Sequence, residues 1–212
     1  MAPATPSTTS PGPWQEVAQR KVKDRERMLS KYAHWRPSTD AITAATDVTS
    51  MYRMELSARE LSIVECDATE LLERIHQGDL KCVEVIQAYL HAATIAQVLT
   101  NCLSEVFFDE AIARAEELDA HMAKTGRPVG PLHGLPVSIK DHIMIEGKDT
   151  STGYIAWCYK KIAPNDAVAV AILRQAGALL YVKTNNPQTL LVRTNFYPES
   201  STFLQPSLVA RN

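Results

Sequence analysis

The sequence predicts an α/β protein built around a parallel pair of strands, and three observations predict it. Leu135–Ile139 reads as a buried strand. Asn165 or Asp166 caps a helix that ends near Gly177. Ala178–Val182 reads as a second buried strand. Strand, crossover helix and strand form a βαβ unit, which implies a parallel sheet with helices on its faces.

The remaining elements follow in chain order. Met1 to Pro13 is rich in Pro, Ser and Thr, is expected to be disordered, and lacks the apolar core of a secretory signal. Trp14 to Tyr32 has helical periodicity, with Trp14, Val17, Met28, Leu29 and Tyr32 on one face and a mixed-charge run from Lys21 to Arg27. It reads as a solvated helix with a weak apolar stripe; the alternative is a helix that contacts a protein partner. Pro37 to Ser50 is polar and reads as a linker.

Ser57 with Glu60, and Asp67 with Glu70, have capping-box spacing. The second pair opens a helix with Leu71, Leu72 and Ile75 inward and Gly78 as its stop. Val83, Ile86, Leu90 and Ala93 continue in a longer helix, and Leu103–Phe108 is a short strand candidate. Asp109 is placed to cap a helix that buries Ile112, Ala115, Leu118 and Met122 and stops at Gly126. Arg127 to Gly134, with two prolines and two glycines, reads as a structured loop. This divides the chain into an N-terminal extension (1–55), the α/β part (56–192) and a tail (193–212).

Composition narrows the function classes. Hydrophobic residues make up 45% and charged residues 22%, as in soluble globular domains, and the formal net charge is −2. Nothing there draws the chain to nucleic acid or an anionic membrane. The longest apolar run, Ala167–Leu173, is far shorter than the ~20 residues of a membrane-spanning helix. Cys66, Cys82, Cys102 and Cys158 are spread out with no C-x-x-C pair. They read as reduced, small buried residues of a cytoplasmic protein rather than a disulfide frame or zinc site.

The chemistry-bearing candidate is Lys140, directly after the first strand of the βαβ unit. Open α/β folds place ligands at the C-terminal ends of their strands. Burial there would penalise the ammonium form and leave an amine able to act as a base, with Asp141 as the obvious ion-pair neighbour. His133 and His142 flank the lysine without metal-ligand spacing and read as structural. Ser138 shares the strand face of Lys140, with packing as its expected role.

The pattern around Lys140 resembles the lysine motif of the amidase-signature family. Pro131, Leu132, Gly134, Pro136, Lys140 and Asp141 carry it. Gly153, Asn165-Asp166, Val170, Leu173, Ala176-Gly177-Ala178 and Lys183-Thr184-Asn185 continue it in order. Asn101–Ala120 and Val182–Leu191 are similar to the fungal, acetamidase-like branch. The resemblance covers roughly Leu56 to Val192. It implies the N-terminal portion of that fold, a mostly parallel mixed sheet flanked by helices, incomplete and preceded by a helical extension.

The resemblance also implies a Ser–cis-Ser–Lys triad that hydrolyses small carboxylic amides without metal or organic cofactor. Lys140 would be the base, acting through a bridging serine on the nucleophilic serine. Both serines belong to glycine-rich stretches, and Gly177 is the last glycine of this chain. Ser200-Ser201 lies between Glu199 and Thr202 without glycines and reads as loop serines. Ser151, Thr152 and Gly153 resemble a loop near the family's active site, with no catalytic step assigned to them. The sequence reading is therefore a truncated amidase, inactive on its own, whose fragment leaves an unpaired strand edge and is expected to be marginally stable. Its alternatives are a non-catalytic partner-binding fragment, a glutamine-hydrolysing amidotransferase subunit, and a Schiff-base lysine at Lys140.

Overall fold

Local signals set most element boundaries. The structure is a computed structural model and describes residues 13–37, 48–187 and 190. Along the chain come α1 (Pro13–Ser30), α2 (Tyr52–Glu55), α3 (Ala58–Val64), α4 (Ala68–His76) and α5 (Cys82–Thr100). Then follow β1 (Leu103–Val106), α6 (Phe108–Thr125), β2 (Pro136–Lys140), α7 (Val168–Gln175) and β3 (Leu179–Thr184). Ser57 and Glu60 form the full capping box at the start of α3, and Asp67 accepts the N–H of Glu70 at the start of α4. Gly126, in the left-handed region, ends α6.

Two expected caps are engaged elsewhere. Asp109 lies inside the first turn of α6, and its carboxylate takes Lys31 and the Tyr32 hydroxyl. Asp166 precedes α7 without capping it, because it accepts the Glu146 N–H at 2.8 Å and pairs with Arg174 at 2.8 Å. Free N–H groups lose these carboxylates to charged donors, whose hydrogen bonds are stronger.

Helix α5 is the centre of the larger core. It buries Val85, Ile86, Leu90 and Ile95 and packs against α2, α3, α6 and β2. Each such side chain contributes roughly 1.5–3 kcal/mol of transfer free energy. Among the described helices it alone is long and apolar enough to span a membrane by composition, with a mean hydropathy of 1.3. Its neighbours here are protein, as for a helix that is apolar all round inside a domain. A smaller cluster, Phe107, Ile139, Ile145, Val170 and Leu180, seals α7 against the sheet.

The sheet order is β1-β3-β2. Strands β2 and β3 run parallel with α7 between them in sequence, which is the expected βαβ unit. Strand β1 pairs antiparallel on the other side of β3. This sheet and its helices make the expected partial α/β fold, and the outer edge of β2 has no strand beside it among the described residues. Both ladders slip near Lys183: β2 advances from Val137 to Ile139 while β3 advances from Leu180 to Lys183, and β1 slips between Leu103 and Glu105. Such bulges re-aim side chains, and here they fall where the buried Lys183 leaves the sheet.

Two glycines explain why the loop before β2 closes on the end of α7. Gly177 has φ +94°, and a Cβ there would sit 2.9 Å from the His133 Cα. Gly134 has φ +82° and lies against the Cys82 sulfur. The approach they permit is held by Leu132 N–H to Ala176 O and Gly134 N–H to Gly177 O, both 2.9 Å. His133 is fully buried in this contact, and its Nδ1 accepts the Val129 N–H at 3.1 Å.

Helix α1 docks on its own chain through its charges. Its buried residues are Lys21, Arg25 and Leu29, at successive i, i+4 positions. The helix expected to be solvated is thus docked, with Leu29 of its weak stripe buried beside two residues of the charge run. Lys21 pairs with Glu105 at 2.7 Å and Asp149 at 2.9 Å, while Trp14 stays half exposed. Tyr32 stacks on Trp35 and meets Phe108 edge-on. The face that a protein partner would use is thus largely occupied within the chain. All four cysteines are free; Cys82 and Cys158 are buried, whereas Cys66 and Cys102 are only partly so. The expected disordered start (1–12), most of the expected linker (38–47) and the tail 193–212 lie outside the described residues.

Gly177→Ala should cost more than Gly147→Ala, whose φ is also positive at +74° but whose Cβ would meet nothing within 4 Å. Both carry ~1–2 kcal/mol of left-handed strain, and Gly177→Ala adds about 1–3 kcal/mol of overpacking against His133. Equal urea midpoints for the two variants would show that the loop contact is not tight. A second expectation concerns acid. Burial, then His76 and His121, hold the His133 pKa below its ordinary value of 6.5. The unfolded chain therefore binds this proton first, so the contribution of His133 is complete above 6.5 and is lost as pH falls toward the lower folded value. Urea denaturation at pH ~7.5 and ~5.5 should show the loss, and His133→Asn, which keeps an acceptor for Val129, should flatten it.

Candidate active site

Strand β2 delivers Lys140 to the C-terminal end of the parallel pair, opposite Thr184 of β3. Ser138 and Lys140 are exposed, while Ile139 between them is buried in the α7 cluster. Alternation along a strand produces this pattern. The Lys140 amine donates to the Asn185 carbonyl at 2.5 Å. The lysine therefore sits where the sequence reading put it, but in the open rather than buried. Ser138 likewise faces outward rather than packing.

Asp141 does not pair with Lys140. It is 3% exposed and points into the body, because the next residue of a strand faces the other way. Its carboxylate accepts Ser104 Oγ at 2.9 Å, Ser151 Oγ at 2.9 Å and the Thr152 N–H at 2.8 Å. This ties the Ser151–Gly153 loop to the residue that follows Lys140. Thr152 has φ +52° and Gly153 φ +77°. A β-branched residue rarely adopts that conformation. The N–H bond to Asp141 helps hold the strained turn, and such strain gathers at functional sites.

The buried amine of this region is Lys183. It has no solvent exposure, and its Nζ donates to Asp149 O at 2.6 Å and to Thr150 Oγ1 at 3.4 Å. Burial lowers its pKa, with Asp141, Glu105 and Asp149 acting in opposition. The environment expected for Lys140 thus belongs to Lys183, four residues after Leu179 at the buried end of β3. Sequence reasoning saw Lys183 only as part of a Lys-Thr-Asn triplet. Nearby, burial alone would lower the pKa of Lys21, but Glu105 and Asp149 hold it above its ordinary value.

On the open side of Lys140, Asn186 is 2% exposed, and its side-chain amide lies 3.2 Å from His142 Nδ1. The side-chain oxygens of Asn185 and Asn186 are buried without partners. His142 is exposed beside Asn186, whereas His133 belongs to the glycine-mediated loop contact. Among the described residues no three His, Cys, Asp or Glu side chains converge to hold a metal ion. The site is thus an amine at a strand end, a strained serine-threonine-glycine turn held by the next residue, and a buried charge network.

The amidase family model matches residues 84–203, more than half of the chain, and the chain belongs to that family. The match reaches into the segment from residue 193 that the sequence resemblance left out. The chain is 44% identical to an acetamidase of Emericella nidulans over 186 residues, which is 86% of this chain and 33% of that protein. It is 43% identical to an acetamidase of Aspergillus oryzae over 137 residues, 65% of this chain and 25% of that protein. Among solved structures, a fatty acid amide hydrolase superposes with a TM-score of 0.77 at 33% identity, covering 84% of this chain and 32% of that one. The chain spans about a third of the length of the curated relatives it matches.

Lys21→Ala should test the network beneath the site. Removing one partner of a buried ion pair leaves unpaired charge, here on Glu105 and Asp149, at a cost of about 3–5 kcal/mol. The loss should persist in high salt, unlike that of an exposed pair. A change below ~1 kcal/mol, the range of surface pairs, would show that α1 is not anchored through Lys21.

Proposed function

We propose that this chain carries the lysine-bearing part of an amidase that converts small carboxylic amides and water to carboxylate and ammonia. The observation that carries the reading is Lys140: an exposed amine at the C-terminal end of β2, donating to the Asn185 carbonyl, with the next residue, Asp141, holding the Ser151–Gly153 turn. The fungal acetamidases among its relatives support the small-amide substrate. In this reading the Lys140 amine takes a proton through a bridging serine from the attacking serine. The serine oxygen bonds to the amide carbon, ammonia leaves with the transferred proton, and water then hydrolyses the acyl-enzyme. No metal or organic cofactor takes part. The reading assigns both serines to glycine-rich stretches, and Gly177 is the last glycine of these 212 residues.

The 212-residue chain alone should release no ammonia from acetamide above the level of its Lys140→Ala variant. Joined to coding sequence that supplies the glycine-serine stretch, it should gain turnover. There, Lys140→Ala should lower kcat/KM by about 10²–10⁴-fold. Lys140→Arg should fail as well, because a guanidinium stays protonated. Near-normal turnover in a folded Lys140→Ala protein would make Lys140 structural and overturn the reading.

A further inference from the structure

The cleft between α1 and β1 holds a buried charge with no salt bridge among the described residues. Arg25 is 8% exposed, and its Nη1 donates to the Leu103 carbonyl at 2.7 Å. Glu26 acts on it only through its field, and its Nε is buried with no hydrogen-bond partner. The other cations of the cleft are compensated: Lys21 by Glu105 and Asp149, Arg27 by Asp24, and Lys148 by Glu110. A carbonyl dipole offsets only part of a full charge, and an unpaired buried ion is costly. Beside Arg25 lies a cavity of about 220 Å³, walled by four cationic side chains against the carboxylates of Asp24 and Glu105.

We propose that this cavity binds a small monocarboxylate, whose negative charge compensates Arg25. Charge selects an anion, since Arg25 alone among the four wall cations has no ion-pair partner. Size selects a small one, since the cavity is below the ~300–1,000 Å³ of sites for drug-sized ligands. Met28 and Val106 add apolar wall, which suits a short alkyl tail. Asp24 and Glu105 oppose the second charge of a phosphate dianion. A guanidinium also presents donors in the fork that a carboxylate matches. The site is separate from Lys140, and Arg25 lies outside the segment matched by the family model. It stands or falls independently of the proposed hydrolysis.

The test is acetate titration of the full chain at constant ionic strength, with chloride as the balancing ion, followed by the Arg25 Nε–H resonance. The expected result is a saturable shift with acetate, accompanied by a rise in Tm that chloride does not reproduce. Arg25→Gln should weaken acetate binding by about tenfold or more, as for loss of a charged hydrogen bond. If that variant does not fold, the wild-type resonance and the Tm decide alone. A shift that does not saturate by ~100 mM acetate, or an Arg25 site that phosphate fills at lower concentration than acetate, would overturn the proposal.

Discussion

The ammonium of Lys183 is fully enclosed, so its hydrogen bonds must be made by protein, and they are made by the Asp149–Thr150 segment. That constraint fixes the long connection between β2 and α7 against the end of β3. Glu105 of β1 reaches the Asp149 N–H at 3.2 Å, and Lys21 of α1 closes the cluster from outside. Four parts of the chain that are distant in sequence thus meet around two lysines and two carboxylates. Inside a protein such a cluster is stable only when its members are satisfied together. The Ser151–Gly153 turn lies one step beyond, on Asp141, so its strained backbone depends on the same cluster.

Much of the fold was legible because its signals are local. The change from helical periodicity to two short apolar runs located the βαβ unit, and capping-box spacing located α3 and α4. Lys140 was legible as a strand-end lysine set in a recurring motif. What stayed hidden was which lysine is buried. A lysine closing an apolar run reads the same at Lys140 and at Lys183. Only the register slips and the central position of β3 distinguish them. Helix α1 was read as a solvated helix for a related reason. Hydrophobic periodicity assumes that burial follows apolarity, whereas Lys21 and Arg25 are buried by distant acceptors, Glu105, Asp149 and the Leu103 carbonyl.

Spacing rules failed where a carboxylate had a better partner than a helix end. Asp109 and Asp166 both stand near the starts of helices, and each turns to cationic partners or to another loop's N–H. The two close glycines show the opposite case, in which a residue chosen for what it lacks makes a contact possible. Gly134 and Gly177 let two backbones meet, and that meeting sets the depth at which β2 lies against β3.

The sheet order also governs the timing of assembly. Strand β3 is hydrogen-bonded on both sides, yet it is the last described strand to be synthesised. Helices α3 to α6 can pack while the chain is still emerging, since their partners are near in sequence. Neither β1 nor β2 can complete a ladder until Leu179–Thr184 has left the ribosome, and Lys183 arrives with it. The Asp149–Thr150 segment therefore lacks its buried donor until Lys183 emerges, which makes chain elongation through β3 the step that commits this region to its fold.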